Sequence, residues 1–340
     1  MAAGKHLNIE TRMTSPPLTV AMSVYNNAPF LAEAIESIRA QSFADWEFLI
    51  VNDGSSDGSR EIIDRFAAQD PRIRAIHREN RGLVFSLNQL VEEARAPLIA
   101  RMDGDDISLP DRFEKQMAFL AANPDHGVIG TWATCIDETG ALRGNCGEKP
   151  VTHEEMVANF EYGPLLCHPS VIMRRDVVQA VGGYRAAYKH CEDYDLWLRL
   201  GSRTKMANLR ERLILYRHSE SQVSSKHVVL QQVNAAIAFA AYREVAEGRA
   251  DPTEGLDELP TLETVDDVFN RPGLSREIRA KVAPNILYSP VALRNDGYDI
   301  ILRYIREGGD RDGLWRTAAR LMTIGEPARA LRMATTLATH

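Results

Sequence analysis

The feature that most constrains this chain is an alternation, through its first third, of short apolar runs with segments whose apolar residues recur at helical spacing. Leu18 to Val24 is the first run, and Leu31, Ala34, Ile35 and Ile38 follow on one helical face. Trp46 to Val51 repeats the strand signal. After the turn Asp53-Gly54-Ser55-Ser56-Asp57-Gly58, Ile62, Ile63, Phe66 and Ala67 mark a second helix. Ile73 to His77 and Pro97 to Met102 are further strands, with Leu83, Leu87, Leu90, Val91 and Ala94 lining the helix between them. Strands that alternate with helices predict an α/β fold with a mostly parallel central sheet between helices.

Beyond Asp111 the alternation stops. Phe113, Met117 and Leu120 give a helix ending at Asn123-Pro124, Gly127 to Cys135 and Ser170 to Met173 look like strands, a helix starts near Asp193, and Leu213 to Tyr216 is the last strand. After about residue 226 the pattern is helical only. Val228 to Glu247 is Ala-rich and amphipathic, Gly248 to Leu262 reads as a linker, and Leu314 to Ala338 as a hairpin broken at Gly325-Glu326-Pro327. The expected organisation is a flexible leader over 1–15, a nucleotide-binding domain over 16–225 and a helical C-terminal region over 226–340.

Composition excludes more than it selects. A hydrophobic fraction of 44% with 26% charged residues suits a folded globular chain. The net charge of -7 gives no reason to expect nucleic-acid binding, so any phosphate site must be local. The four cysteines form no CxxC pair and no apolar signal core precedes them, so reduced thiols and a cytoplasmic location are expected. No run is long enough to span a bilayer. Between Arg303 and Arg332, seven arginines face four acids beside Leu314, Trp315, Leu321 and Met322. Peripheral membrane contact or a homo-oligomer through 226–340 is therefore open, although a solvated helix face packed on the first domain explains the same residues.

Ligands of open parallel sheets bind beyond the carboxyl ends of the strands, and three such turns here carry polar or acidic residues: Tyr25-Asn26-Asn27, Asp53 to Asp57, and Asp103-Gly104-Asp105-Asp106. Asp53 can accept from an imide N–H or a ribose hydroxyl, or it can cap a turn. Asp103, Asp105 and Asp106 crowd three carboxylates after a buried strand, for which Mg2+ or Mn2+ is a natural countercharge; a solvated capping turn is the plainer alternative. Glu192 and Asp193 sit in the first turn of a helix, where a carboxylate either interacts with the helix dipole or takes a proton from a hydroxyl. His218 is by itself a weak signal.

Taken in order, the segments Val20 to Asn26, Phe48 to Ser59, Arg101 to Arg112, His168 to Arg174, Glu192 to Arg199 and Leu215 to Ser224 resemble the family 2 glycosyltransferases, which have the GT-A fold. The resemblance implies that Asp53 contacts the nucleotide base, with Tyr25 and Asn26 lining the same pocket. It implies that Asp103 and Asp105 form the DxD motif, Asp105 being the direct metal ligand, and that Asp193 is the general base with Glu192 in support. It places Arg81 near the donor, His168 near the donor sugar and acceptor, and His218 at the metal or diphosphate. The implied activity is that of an inverting, hexosyltransferase-type enzyme with Mn2+ or Mg2+ as cofactor. Its donor is a nucleotide sugar, UDP-linked first of all, and its acceptor a saccharide or lipid-linked saccharide in bacterial surface polysaccharide or glycoconjugate synthesis. A sugar-nucleotide pyrophosphorylase would need a basic, glycine-rich phosphate loop where Tyr25-Asn26-Asn27-Ala28-Pro29 stands, and a dehydrogenase would need GxGxxG there. A non-catalytic module that keeps the donor pocket is the other competing class.

Overall fold

In a computed structural model, residues 15–218 and 227–340 are described. The expected leader, but for residue 15, and the expected boundary between 225 and 226 lie outside the described residues. Strand β1 (Leu18–Val24) pairs in parallel with β2 (Trp46–Asp53) on one side and with β4 (Leu98–Asp103) on the other, and β2 pairs in parallel with β3 (Ile73–Arg78). Helices α1 (Ala28–Arg39), α2 (Ser59–Gln69) and α3 (Leu83–Glu93) make the crossovers. Every residue of β2 is buried, as a central strand covered on both faces requires.

The second half of the sheet is mixed. It is built from β5 (Ile107–Ser108), β6 (His126–Ile136), β7 (Leu142–Asn145), β8 (Ile172–Arg174) and β9 (Lys205–Arg217), with α4 (Arg112–Ala122), α5 (His153–Asn159), α6 (Arg175–Ala180) and α7 (Glu192–Gly201) between them. The strand order is β3-β2-β1-β4-β8-β6-β9-β5, with β7 beside β6. β8 runs antiparallel to both β4 and β6, while β6 and β9 are parallel. β9 begins well before the expected Leu213, because polar Asn208, Arg210 and Glu211 interrupt its apolar run. β7 gave no signal at all, since its four residues are exposed.

Two apolar layers sandwich the sheet. Ile35, Phe48, Ile50, Met102 and Phe113 belong to one, and Leu49, Val51, Leu87, Leu196 and Trp197 to the other. A third core lies among the C-terminal helices α8 (Val228–Ala246), α9 (Val265–Val268), α10 (Leu274–Ile286), α11 (Pro290–Arg294), α12 (Gly297–Arg306), α13 (Leu314–Thr323) and α14 (Pro327–Thr339). Helix α8 joins the two regions instead of presenting one apolar stripe. Its Ala236, Ile237, Ala240 and Ala241 enter the third core, whereas Ala238, Phe239 and Tyr242 pack on the sheet's layer. Among the described residues no helix is long and apolar enough to cross a membrane, and Trp315, Met322 and Leu331 are exposed.

The expectation of reduced thiols is corrected. Cys135 of β6 and Cys146, just past β7, form a disulfide with Cα atoms 5.4 Å apart, while Cys167 and Cys191 are free. The antiparallel pairing of β6 with β7 brings the two cysteines together, a juxtaposition that spacing alone does not reveal. With it goes the thiol argument for a cytoplasmic location.

Candidate active site

The carboxyl ends of β1 and β2 are locked to each other. Asn26, at φ 54°, accepts the Ser56 N–H at 2.9 Å through Oδ1 and donates its own N–H to Ser55 Oγ at 3.0 Å. Asp57 accepts from the Ala28 and Ser59 N–H groups, so it is Asp57 that ties the starts of α1 and α2. Tyr25, 54% exposed, stands free above this platform.

Asp53 does not cap the turn that follows it. Buried at 2% exposure, it accepts the backbone N–H groups of Arg81 and Gly82 at 2.8 and 2.9 Å and pairs with Arg78 at 2.8 Å. The carboxylate thus moors the 79–82 turn against β2. That turn comes so close that a Cβ on Gly54, at φ +75°, would stand 2.6 Å from the Asn80 nitrogen, so only glycine fits. Arg81 is exposed, with its guanidinium 3.4 Å from the centre of the Phe85 ring.

At the end of β4, Asp103, Asp105 and Asp106 bring carboxylate oxygens within 4.8 Å of one another. Protein cations already answer part of this charge. Arg101, two positions back on the strand and 5% exposed, forms an ion pair with Asp103. Burial alone would depress the Arg101 pKa, but the Asp103 carboxylate outweighs it and holds the guanidinium charged above its usual range. Arg217 donates its backbone N–H to Asp106 Oδ1 at 2.8 Å and its Nε–H to the Asp105 carbonyl at 2.7 Å. Even so, burial and then the Asp103 charge push Asp105 up to about 6, and Asp106 is raised well above the carboxylate range for the same reasons. Asp106 Oδ2 is buried with no hydrogen-bond partner among the described residues. An all-oxygen cluster still short of positive charge and of donors fits a hard divalent cation.

Helix α7 presents three acids in its first turn. Asp195 is spent on structure: it is 1% exposed and held by Arg185 and by Arg199, the latter through Nη2 at 2.7 Å. Glu192 and Asp193 remain. Burial first, then the Asp193 charge, pushes Glu192 up to about 7. Asp193 is raised by burial against the opposing Tyr194 N–H and Arg101. Arg101 and Asp103 both bear on Glu192 and Asp193, so the α7 acids and the β4 turn share one electrostatic site. His168 faces the same cation. Its Nε2 is 2.8 Å from the Tyr184 hydroxyl, and burial with Arg101 nearby keeps the ring neutral well below the usual histidine range.

Asp103, Asp105, Glu192, Asp193 and His168 are therefore brought together, and Tyr25, Asn26, Asp53 and Arg81 form the neighbouring wall at β1 to β3. His218 is placed differently: it lies with Cys135 and Cys146 instead of among the aspartates, one residue past the Arg217 that binds them. Sequence reasoning missed Arg101, Tyr184 and Arg217. Arg101 alone had a readable signal, a charge inside an apolar strand two residues before an aspartate.

Comparison with known proteins decides the family. The description Glycosyl transferase family 2 matches residues 19–182. The putative glycosyltransferase EpsE of Bacillus subtilis is 35% identical over 237 residues, covering 68% of this chain and 84% of EpsE. The chain belongs to glycosyltransferase family 2. The O-antigen biosynthesis glycosyltransferase WbnJ of Escherichia coli is similar to this glycosyltransferase at 31% identity, over 61% of this chain and 82% of WbnJ. Two solved structures share its fold. S. aureus TarS in complex with UDP superposes with a TM-score of 0.55 at 14% identity, over 94% of this chain and 87% of TarS. The mannosyltransferase PcManGT of Pyrobaculum calidifontis, in complex with GDP-Man and Mn2+, superposes with a TM-score of 0.51 at 15% identity, over 96% of this chain and 88% of that one. The fold is thus of the GT-A type. The pyrophosphorylase and dehydrogenase alternatives fall with the family assignment.

Proposed function

We propose that this glycosyltransferase inverts the anomeric centre of a nucleoside-diphosphate sugar, UDP-linked in the first instance, as it transfers the sugar to an acceptor hydroxyl. The observation that carries the proposal is two acidic groups under the one Arg101 charge: the β4 turn, paired with it through Asp103, and Glu192 with Asp193. One cluster suits a diphosphate with its cation, the other a hydroxyl proton. Tyr25, Asn26 and Asp53 form the base wall and Arg81 its cationic rim.

Asp105, with Asp103 beside it, would hold Mn2+ or Mg2+, which supplies neutralisation of the charge that develops on the departing diphosphate. Asp193 takes the acceptor proton on a carboxylate oxygen, and its burial makes it a better base than a solvated aspartate. Glu192, itself near half-protonation at neutral pH, keeps a second full negative charge away from that oxygen. His168, held neutral and oriented by Tyr184, can donate or accept a hydrogen bond at the sugar without adding charge. A single displacement with no enzyme nucleophile gives inversion, so an α-linked donor yields a β-glycoside. By analogy with WbnJ and with the amylovoran biosynthesis glycosyltransferase AmsE of Erwinia amylovora, the acceptor is a growing bacterial surface saccharide, free or lipid-linked.

The test is a thermal-shift panel of UDP, dTDP and GDP with and without Mn2+, on the native chain and on Asp105→Ala. Ligand at about 100 times its dissociation constant adds about 2.7 kcal/mol. A Mn2+-dependent shift with UDP that the variant loses supports the reading. A UDP shift indifferent to both metal and Asp105 would overturn the metal assignment. No shift with any of the three would overturn the donor class.

A further inference from the structure

Outside the acidic turn, three metal-ligating side chains converge at one other place among the described residues. One ligand atom each from Cys135, Cys146 and His218 lies within 4.8 Å of the others. We propose that this trio is a redox-gated site for a thiophilic divalent cation of the Zn2+ class, separate from the hard-cation site at the aspartates.

The sheet places the three ligands. β6 lies between β7 and β9, and Cys135 is in register with Gly144 on one side and Tyr216 on the other. Cys146 and His218 each stand two residues beyond those neighbours. The backbone N–H of His218 donates to the Ile136 carbonyl at 2.8 Å, which fixes its Cα beside β6 and leaves the exposed imidazole packed edge-on against Tyr216.

The arrangement does not depend on the sulfur–sulfur bond. At the tip of the β6–β7 hairpin, Asp137 exchanges backbone bonds with Gly140 and Ala141, and its carboxylate accepts the Thr139 and Ala141 N–H groups. Arg217 clasps the Asp137 carbonyl at 3.0 Å and the Glu138 carbonyl at 3.3 Å. These contacts keep both cysteines beside His218 after the disulfide opens.

In the disulfide neither sulfur carries a thiolate to offer a metal. A dithiol reductant delivers two electrons and two protons, leaving Cys135 and Cys146 as thiols while it becomes a disulfide itself. A cation then displaces the two thiol protons and binds two thiolates and the neutral imidazole, with water in the fourth position. Such a donor set selects Zn2+ over Mg2+ or Mn2+, whereas the aspartate oxygens suit the hard cations without selecting for sulfur-seeking ones. The chemistry sorts two metals into two sites linked through Arg217, which precedes His218 and binds Asp105 and Asp106.

The test is an absorption titration with Co2+, a Zn2+ surrogate, on the full chain before and after reduction by a phosphine. The expected result is a sulfur-to-cobalt charge-transfer band that saturates near one equivalent in the reduced chain and is absent from the unreduced one. Cobalt at the aspartates gives no such band. The band should vanish in Cys135→Ser and in Cys146→Ser, and His218→Ala should shift the ligand-field bands and weaken binding roughly tenfold or more. A reduced native chain without the band would overturn the proposal with no variant needed. So would a band that persists when both cysteines are serine, which would assign it to Cys167 and Cys191, or a His218→Ala spectrum and affinity unchanged from native.

Discussion

Arg101 and Asp103, two positions apart on β4 and so on one face of the strand, form an ion pair in which the arginine is 5% exposed. The pair sets the charge at the centre of the site: Arg101 lowers the proton affinity of Asp105, Asp106, Glu192 and Asp193, while Asp103 raises it. Removing one partner of a buried pair leaves the other unpaired and costs roughly 3–5 kcal/mol. Because the Asp103 side chain is 30% exposed, Arg101→Met should destabilise the fold by less than that in urea unfolding. Arg101→Met with Asp103→Asn should recover part of the loss. If the two changes simply add, the pair is not coupled.

The first four strands and their helices were legible because each is a run of one periodicity closed by Gly, Asp or Asn. β1 to β4 were placed within about two residues, the ordinary uncertainty of strand ends. The failures have physical causes. β7 has no buried side chain to leave a pattern, and β9 hides a long strand behind polar residues at its edge. Helix α8 serves two cores, so its apolar residues go round it instead of along one stripe. Within the site, the acids could be found from the sequence, but their countercharges could not. Arg217 reaches Asp106 across 111 residues, and only the pairing of β5 with β9 shows that the two meet.

Asp193 and Asp195 stand on the same helical turn and should respond oppositely to substitution. Asp193→Asn is expected to lower turnover about 10²–10⁴-fold, the usual contribution of a general base, with nucleotide affinity by calorimetry near native. Asp195→Ala strips Arg185 and Arg199 of their partner and should cost stability, at or below the roughly 3–5 kcal/mol of a fully buried pair because both arginines are partly solvated. Unfolding curves and turnover measured on both variants separate the roles. A normal turnover for Asp193→Asn would remove it as the base.

Glu192 makes stability depend on pH. Its folded pKa of about 7 lies above the ordinary 4.5, so between those values the folded state binds more protons than the unfolded one. The protonated carboxyl favours the fold fully below about pH 4.5, and that contribution is lost as pH rises through about 7. Above about pH 6.5, where the buried His168 no longer adds an opposing slope, melting temperatures in chelator should thus fall up to pH 8, and Glu192→Gln should flatten the fall. Asp105, pushed up to about 6, acts in the same direction, so part of the slope remains in the variant. Parallel melting profiles for the two proteins would show that Glu192 does not carry the effect.

The segment before the proposed base is held from the C-terminal region. Gln231 and Asn234 of α8 donate to the carbonyls of His190 and Lys189, each at 3.0 Å, and His190 stands at φ 67° two residues before Glu192. The His190 and His227 rings stack at 4.3 Å, and Phe160 meets Tyr242 edge-on at 5.4 Å, so α8 also covers the layer beneath α7. A chain ending at residue 226 would bare that layer and should bind a hydrophobic dye or aggregate, although its matched family segment is intact. Asn234→Ala is the finer probe. It leaves the apolar contacts in place and frees the Lys189 carbonyl, so stability should fall by only about 1 kcal/mol. If α8 positions Asp193, turnover should fall more than that loss of stability explains, with nucleotide affinity unchanged. A variant with native turnover would make α8 a cover for the core and nothing more.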